Sequence, residues 1–122
     1  MKRNKMRDDL IFHITTEENF NTFKKNKNYE PESLDEDGFI HCSSGHQVES
    51  TANKKFAGQD KLLLLVIDVT ALNSTIKYEK DPESGKKYPH IYGPLDTNAI
   101  IDKIEVLAED NGDFKIGFIS KT

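Results

Sequence analysis

The sequence has a single cysteine, Cys42, so it lacks the pairs from which an internal disulfide framework is built. Small secreted domains often depend on such frameworks, whereas a lone thiol is typical of a reducing compartment. No apolar run approaches the roughly 20 residues that span a bilayer. The opening MKRNKMRDDL has no apolar core of a signal peptide. We therefore expect a cytoplasmic protein that is not inserted in a membrane.

An excess of basic residues is also missing. The 122 residues include 17 Lys and Arg against 21 Asp and Glu, for a net charge of −4, and the lysines are scattered. Because phosphate recognition usually leaves a basic patch, we expect no nucleic-acid partner. The length fits one domain with one core. We predict a frayed tail over 1–8 and a single domain over 9–122, with the oligomeric state left open.

Familiar catalytic motifs are absent. The chain has no P-loop, no Rossmann glycine fingerprint and no G-x-S-x-G elbow around Ser43. Alternation places Cys42 on the apolar side of its strand, which favours a small buried hydrophobic side chain over a nucleophile. Three histidines could bind zinc, but they lack the close pair of most catalytic zinc sites. We therefore expect no metal.

What is present is a series of short apolar segments. Alternation or an unbroken apolar run predicts strands at 10–15, 38–43, 61–68, 76–79 and 90–92. The run at 61–68 is apolar on both faces, so we expect it to be the central strand. The sequence predicts an α+β fold with about six short strands in a split, mostly antiparallel sheet and two helices inserted early.

Capping-box spacings predict where the two helices begin. Thr15 to Glu18 and Ser44 to Gln47 have this spacing, and the helices should end near Lys25 and Phe56. Two further features are local. The Asn-Gly pair within 110–113 predicts a hairpin of 101–107 with 114–119, and the polar stretch 80–87 is expected to be a mobile loop that could serve as a lid.

Three of the four histidines share one local context. His13, His41 and His90 lie within predicted strands between apolar neighbours, and each has a hydroxyl residue two positions on, on its own face. The first two segments run into predicted helices, whose N-terminal N–H groups suit phosphate or carboxylate. We predict that these histidines line a cleft, with Glu79 as the best candidate carboxylate. A purely structural role for the histidines stays open.

The motifs IFHITT, DGFIHCS, LLLLVID and PHIYGPL, in this order, resemble the DUF952 family of small, mostly bacterial proteins of unknown function. The resemblance covers about residues 10–107. That family is similar in fold to the ADP-ribosyltransferases, and the order of elements also resembles that of RNA 2′-phosphotransferases. The resemblance implies a small ADP-ribosylation-like fold and a pocket that binds NAD, as a substrate, or a related nucleotide.

The resemblance also implies roles for single residues. His13 with Thr15 would hold a ribose of NAD, and the segment around His41 would support the nicotinamide. The third position, usually Glu, would fall on or near His90 or on Glu79. The candidate catalytic residues are His13, His41, His90 and Glu79. The candidate ligand-binding residues are Thr15, Phe39, Ser43, Ser44 and Tyr92.

The chain departs from the transferase pattern at all three positions. His13 is followed by Ile14 rather than Gly, the second position is His rather than Tyr, and no acid stands clearly in the third. The transferases use that acid to orient and activate the acceptor. ADP-ribosyl transfer is therefore one expectation for the site, and a non-enzymatic binding or regulatory module that uses the same cleft is the alternative.

Overall fold

The computed structural model describes residues 9–117, and the predicted tail 1–8 lies outside the described residues. The strands are β1 (Leu10–Thr15), β2 (Lys24–Lys25), β3 (Asn28–Tyr29), β4 (Ile40–His41), β5 (Lys61–Asp68), β6 (Thr75–Lys80), β7 (Lys87–Tyr92), β8 (Leu95–Asp96) and β9 (Ile100–Leu107). The helices are α1 (Glu17–Phe23), α2 (Glu32–Glu36) and α3 (Val48–Lys55), with 3-10 turns at Val69–Ala71 and Thr97–Ala99.

The strands form three sheets of three strands, and every pairing is antiparallel. We call β1-β5-β9 the central sheet, β2-β3-β8 the small sheet, and β4-β7-β6 the histidine sheet, because β4 and β7 carry His41 and His90. The α+β class with mainly antiparallel strands is thus confirmed.

The central sheet is covered on both faces, which explains why its middle strand, β5, is apolar on both faces. β5 contributes Leu62, Leu64 and Val66 to one core, together with α3, and Leu65 and Ile67 to the other. The prediction that 61–68 is a central strand buried on both faces is confirmed. β1 alternates in the same way, with both of its faces turned to a core.

Two consecutive residues, Cys42 and Ser43, connect the histidine sheet to the central sheet. Cys42 N–H donates to the carbonyl of Pro89 in β7, and the next residue, Ser43, exchanges two backbone hydrogen bonds of 2.8 and 2.7 Å with Phe12 of β1. The chain therefore passes from one sheet to the other between Cys42 and Ser43. This crossing brings the inner face of β1 up against the back of β4.

Several predicted boundaries were wrong. The described residues contain nine strands rather than about six, because the two-residue strands β2, β3 and β8 have no periodicity of their own, and α2 adds a third helix. Thr16, not Thr15, caps α1 by accepting from the Asn19 N–H. α3 begins at Val48, although the Gln47 side chain does accept from the Ser44 N–H as a capping box requires.

The predicted terminal hairpin was also wrong over its described part. The turn forms, with Gly112 N–H donating to the Glu109 carbonyl, but β9 pairs with β5 and the segment 114–117 is not a strand. The Phe114 and Ile116 N–H groups instead donate to the side chains of Asn53 and Glu49 in α3. The rest of that predicted strand lies outside the described residues.

The longest helix of residues 9–117 has eight residues, and none there is long and apolar enough to cross a membrane.

Candidate functional site

The register of the histidine sheet brings predicted site residues from three strands onto one face. His41 of β4 lies directly opposite His90 of β7. Glu79 of β6 faces Tyr88, so it lies diagonal to His90 on the same face. Ile40 and Ile91 point to the opposite face and are fully buried. Alternation thus leaves polar and aromatic side chains on the outer face while the inner face packs in the core.

Glu79 holds two of these residues through one carboxylate oxygen. Its Oε1 accepts from the Tyr92 hydroxyl at 2.5 Å and lies 2.7 Å from His90 Nδ1. The hydrogen bond from Tyr92 and, to a smaller extent, that from His90 lower the pKa of Glu79. The bond between Glu79 and Tyr92 also raises the pKa of Tyr92. The carboxylate is therefore ionised at neutral pH, and His90 Nδ1 must be the donor.

A second carboxylate contacts His41. Asp37, just after α2, places Oδ2 2.8 Å from His41 Nε2, and both side chains are about half exposed. Phe39 packs against both imidazoles. Its ring stacks on His90 with centroids 4.0 Å apart and an interplanar angle of 16°, and its centroid is 4.6 Å from that of His41. The two imidazole centroids are 5.4 Å apart.

We call this group the imidazole cluster. Its members are Asp37, Phe39, His41, Glu79, His90 and Tyr92. One cation borders it, since Lys77 Nζ lies 4.8 Å from the centroid of the Tyr92 ring. His90 is the more protected histidine, with 15% of its side chain exposed against 49% for His41. The cluster is thus an outer face with two carboxylate-bound imidazoles and one ammonium group.

His13 lies behind the cluster rather than in it. It is 7% exposed, because the face of β1 that carries it turns towards the histidine sheet. Its Nδ1 donates to the His41 main-chain carbonyl at 2.6 Å, and its Nε2 lies 2.9 Å from the Tyr29 hydroxyl. Burial lowers the pKa of His13 to about 4 and raises that of Tyr29 to about 12. His13 is therefore neutral, and Tyr29 donates to its Nε2.

The other predicted site residues also lie away from the outer face. Thr15 is buried, 3.3 Å from the Tyr29 hydroxyl, and Ser43 is buried with its hydroxyl 3.3 Å from that of Thr51. Ser44 is partly buried, and its N–H is taken by Gln47. Cys42 lies in the core, where burial raises the pKa of its thiol. The structure thus brings together His41, His90, Glu79, Phe39 and Tyr92, but not His13, Thr15, Ser43 or Ser44.

Sequence reasoning missed Asp37 and Lys77 as members or neighbours of the cluster. Asp37 lies four residues before His41, outside every predicted strand and helix. Lys77 lies two residues before Glu79 and hence on its face of β6. This spacing was a usable signal for Lys77. The predicted lid is a hydrogen-bonded turn in which Gly85 N–H donates to the Asp81 carbonyl.

Two alternative kinds of site receive no support. A groove of about 310 Å³ between β9 and the segment 114–117 is lined by none of the predicted site residues. In the part of the chain from Asp9 to Gly117, no group of three His, Cys, Asp or Glu side chains is placed to hold a metal ion.

The chain is similar to known proteins over most of its length. The sequence pattern of DUF952, described as "Protein of unknown function (DUF952)", matches residues 14–103. The crystal structure of protein CC0527 from Caulobacter crescentus has 30% identity and a TM-score of 0.77, covering 87% of this chain and 93% of that one. The solution NMR structure of CC0527 has 30% identity and a TM-score of 0.72, over 86% and 90% of the two chains. No curated protein matches the chain.

Proposed function

Because the chain belongs to the DUF952 family, whose description names no activity, its function has to be argued from its own residues, and we propose that the imidazole cluster binds NAD or a related nucleotide. The observation that carries the proposal is the stacked pair of Phe39 and His90, with His41 at its side. A packed aromatic and two imidazoles on an outer sheet face are not needed for the core, which lies on the opposite face.

Each part of a nucleotide finds a matching group. A base has a flat π-face that stacks on aromatic side chains, which Phe39 and Tyr92 present. His41 and His90 each keep one ring nitrogen that has no hydrogen-bond partner among residues 9–117. That nitrogen accepts from a ribose hydroxyl when the ring is neutral and donates to a phosphate oxygen when the ring is protonated. Lys77 adds a positive charge next to Tyr92.

We propose further that the fold is a small ADP-ribosyltransferase-like fold. The support is the split arrangement of antiparallel sheets and the position of Glu79 beside His90. The resemblance calls for a carboxylate at or near this place, and Glu79 supplies one from the neighbouring strand. In this arrangement His13 acts from behind the site, by holding the main-chain carbonyl of His41.

Calorimetric titration with NAD and with ADP-ribose tests the binding. We expect saturable heat with at least one of them in the wild-type protein. Phe39→Leu keeps the apolar volume but removes the ring, so it should weaken binding about tenfold or more through lost stacking. His46→Gln is the matched control, because His46 is exposed and outside the cluster. Absence of heat with both ligands, together with unchanged histidine NMR signals, overturns the proposal.

The same ligands separate an enzyme from a binding module. Release of nicotinamide from NAD, or transfer of a labelled ADP-ribosyl group in a protein-rich extract, is the outcome expected of a transferase. Glu79→Gln should abolish that reaction while leaving the binding of ADP-ribose within a few-fold. Binding without turnover instead favours the non-enzymatic module.

A further inference from the structure

The imidazole cluster contains the same two-part unit twice. Glu79 accepts from His90 Nδ1, and Asp37 contacts His41 Nε2, so each imidazole has one nitrogen held by a carboxylate. A carboxylate in this position fixes the tautomer, orients the ring and stabilises the imidazolium when the other nitrogen takes a proton. The opposite nitrogens, His90 Nε2 and His41 Nδ1, have no partner among residues 9–117.

The two units lie side by side. β4 and β7 pair His41 directly with His90, and the ring centroids are 5.4 Å apart. The rings lie edge to face and contact each other, so a ligand on the outer face can approach both of them at once. Imidazole exchanges protons near neutral pH, so one ring can act as base while the other acts as acid.

From this geometry we propose that the cluster is a general acid–base centre that hydrolyses a cyclic phosphodiester of a nucleotide. The inference rests on the proposed nucleotide binding, and it adds a reaction and a substrate class. The phosphate would lie on the outer face, against both rings. Lys77 pairs with His90 across β6 and β7, and its Nζ lies 4.8 Å from the centroid of the Tyr92 ring, so its positive charge complements the phosphate.

The attacking group is water rather than a side chain. Cys42 is in the core with a raised thiol pKa, and Ser43 is buried away from the outer face. One imidazole removes a proton from water as the water oxygen bonds to phosphorus. The bond from phosphorus to one ring oxygen breaks, and that oxygen takes a proton from the other imidazole. The product is an open phosphate monoester, and the two imidazoles regain their starting protons by exchange with solvent.

The choice of a cyclic ester follows from the shape of the site. The cluster is an outer sheet face, so it can supply only part of the positioning energy that an enclosed pocket gives. A five-membered cyclic phosphate carries its own ring strain, which opening releases. A surface with two aimed proton-transfer groups is therefore best matched to such a substrate.

The test uses 2′,3′-cyclic AMP and the other three 2′,3′-cyclic nucleotides, with products followed by chromatography and ³¹P NMR in the presence of EDTA. We expect EDTA-resistant opening of the ring by the wild-type protein. The rate should have a bell-shaped pH profile, set by the two histidines together with Asp37, Glu79, Lys77 and Tyr92 around them. Loss of activity in EDTA overturns the proposal.

Variants assign the activity to the cluster. His41→Asn and His90→Asn should each lower kcat about 10²–10⁴-fold, the usual contribution of an acid or base. His46→Gln is the control and should keep the wild-type rate. Glu79→Gln tests positioning: it should lower kcat and shift one limb of the pH profile with little change in KM. Equal activity in the wild type and both Asn variants identifies a contaminating nuclease and overturns the proposal.

Failure of this inference is distinguishable from failure of nucleotide binding. Saturable binding of NAD or ADP-ribose with no ring opening for any of the four cyclic nucleotides overturns the acid–base centre and leaves the binding site standing. His41 is half exposed, so His41→Asn is expected to fold even if His90→Asn does not, and circular dichroism checks both.

Discussion

His13 is a buried histidine whose ring nitrogens bind protein groups instead of water. Its two nitrogens are both used inside the protein, by the His41 carbonyl and the Tyr29 hydroxyl. Alternation correctly places His13 on the face of β1 opposite Phe12. It does not reveal that a second sheet covers that face.

The buried position of His13 should make stability depend on pH. Its pKa is about 4 in the folded protein and near 6.5 in the unfolded chain, so between these values only the unfolded chain binds the proton. The stabilisation is complete above about pH 6.5 and is lost as the pH falls towards 4, with a total on the order of 3 kcal/mol. Urea unfolding at pH 7.5 and 4.5 measures this loss.

The control for this prediction removes the titrating group. His13→Gln should flatten the pH dependence of the free energy of unfolding by about 3 kcal/mol across the same window. His46→Gln should keep the wild-type dependence, because His46 is exposed in both states. Identical pH dependence in the wild type and His13→Gln would contradict the prediction.

At the scale of elements, the Gly93-Pro94 turn ends β7 directly after Tyr92. Gly93 has φ +146°, and a methyl group there would lie 2.5 Å from Ser74 Oγ and 3.0 Å from Ser74 Cβ. The Ser74 hydroxyl in turn donates to the Pro94 carbonyl. Glycine is therefore required at position 93 for two reasons: the φ is positive, and the Ser74 side chain leaves no room for a methyl group.

Two glycines separate these effects. Gly93→Ala should lower the free energy of unfolding by about 2–3 kcal/mol, because it combines an unfavourable φ with the clash against Ser74. Gly85→Ala shares a positive φ but meets open space, so it should cost about 1 kcal/mol. Urea unfolding measures both. A smaller loss of stability for Gly93→Ala than for Gly85→Ala would show that Ser74 can move aside for a methyl group at position 93.

The elements that the sequence predicted well are those with their own periodicity. β1, β5 and β6 lie where alternation or an apolar run placed them. The two-residue strands β2, β3 and β8 and the course of the segment 114–117 could not be predicted, since their partners come from elsewhere in the chain. The site divides in the same way: Glu79, His90 and Tyr92 meet through a local hairpin, whereas Asp37 reaches His41 only at the end of an unpredicted helix.

For the whole molecule, the segment 114–117 closes the core between α3 and the central sheet. Phe114 is fully buried there. Asn53 uses its side-chain amide as a strand would use a peptide group, accepting from the Phe114 N–H at 2.7 Å and donating to its carbonyl at 3.1 Å. A single side chain thus satisfies both polar groups of a buried backbone unit.

Asn53→Ala should lower the free energy of unfolding by about 1–3 kcal/mol, because it leaves the N–H and carbonyl of Phe114 without partners. Asn98→Ala is the control. Asn98 is exposed, and its replacement should change stability by less than about 0.5 kcal/mol. Denaturant titration of both variants measures the difference. Equal stability of the two variants would mean that water replaces the Asn53 amide without cost.

The topology of the three sheets also sets the order in which the molecule can assemble. Leu10 pairs with Asp68 and Lys61 with Leu107, so the central sheet has no hairpin to nucleate it and must close long loops. β6 and β7 form a hairpin around a short turn, and hairpins close in microseconds. The stretch 75–92, with Glu79, His90 and Tyr92, can therefore organise early. His41 joins it only when β4 pairs with β7 over a distance of about 50 residues.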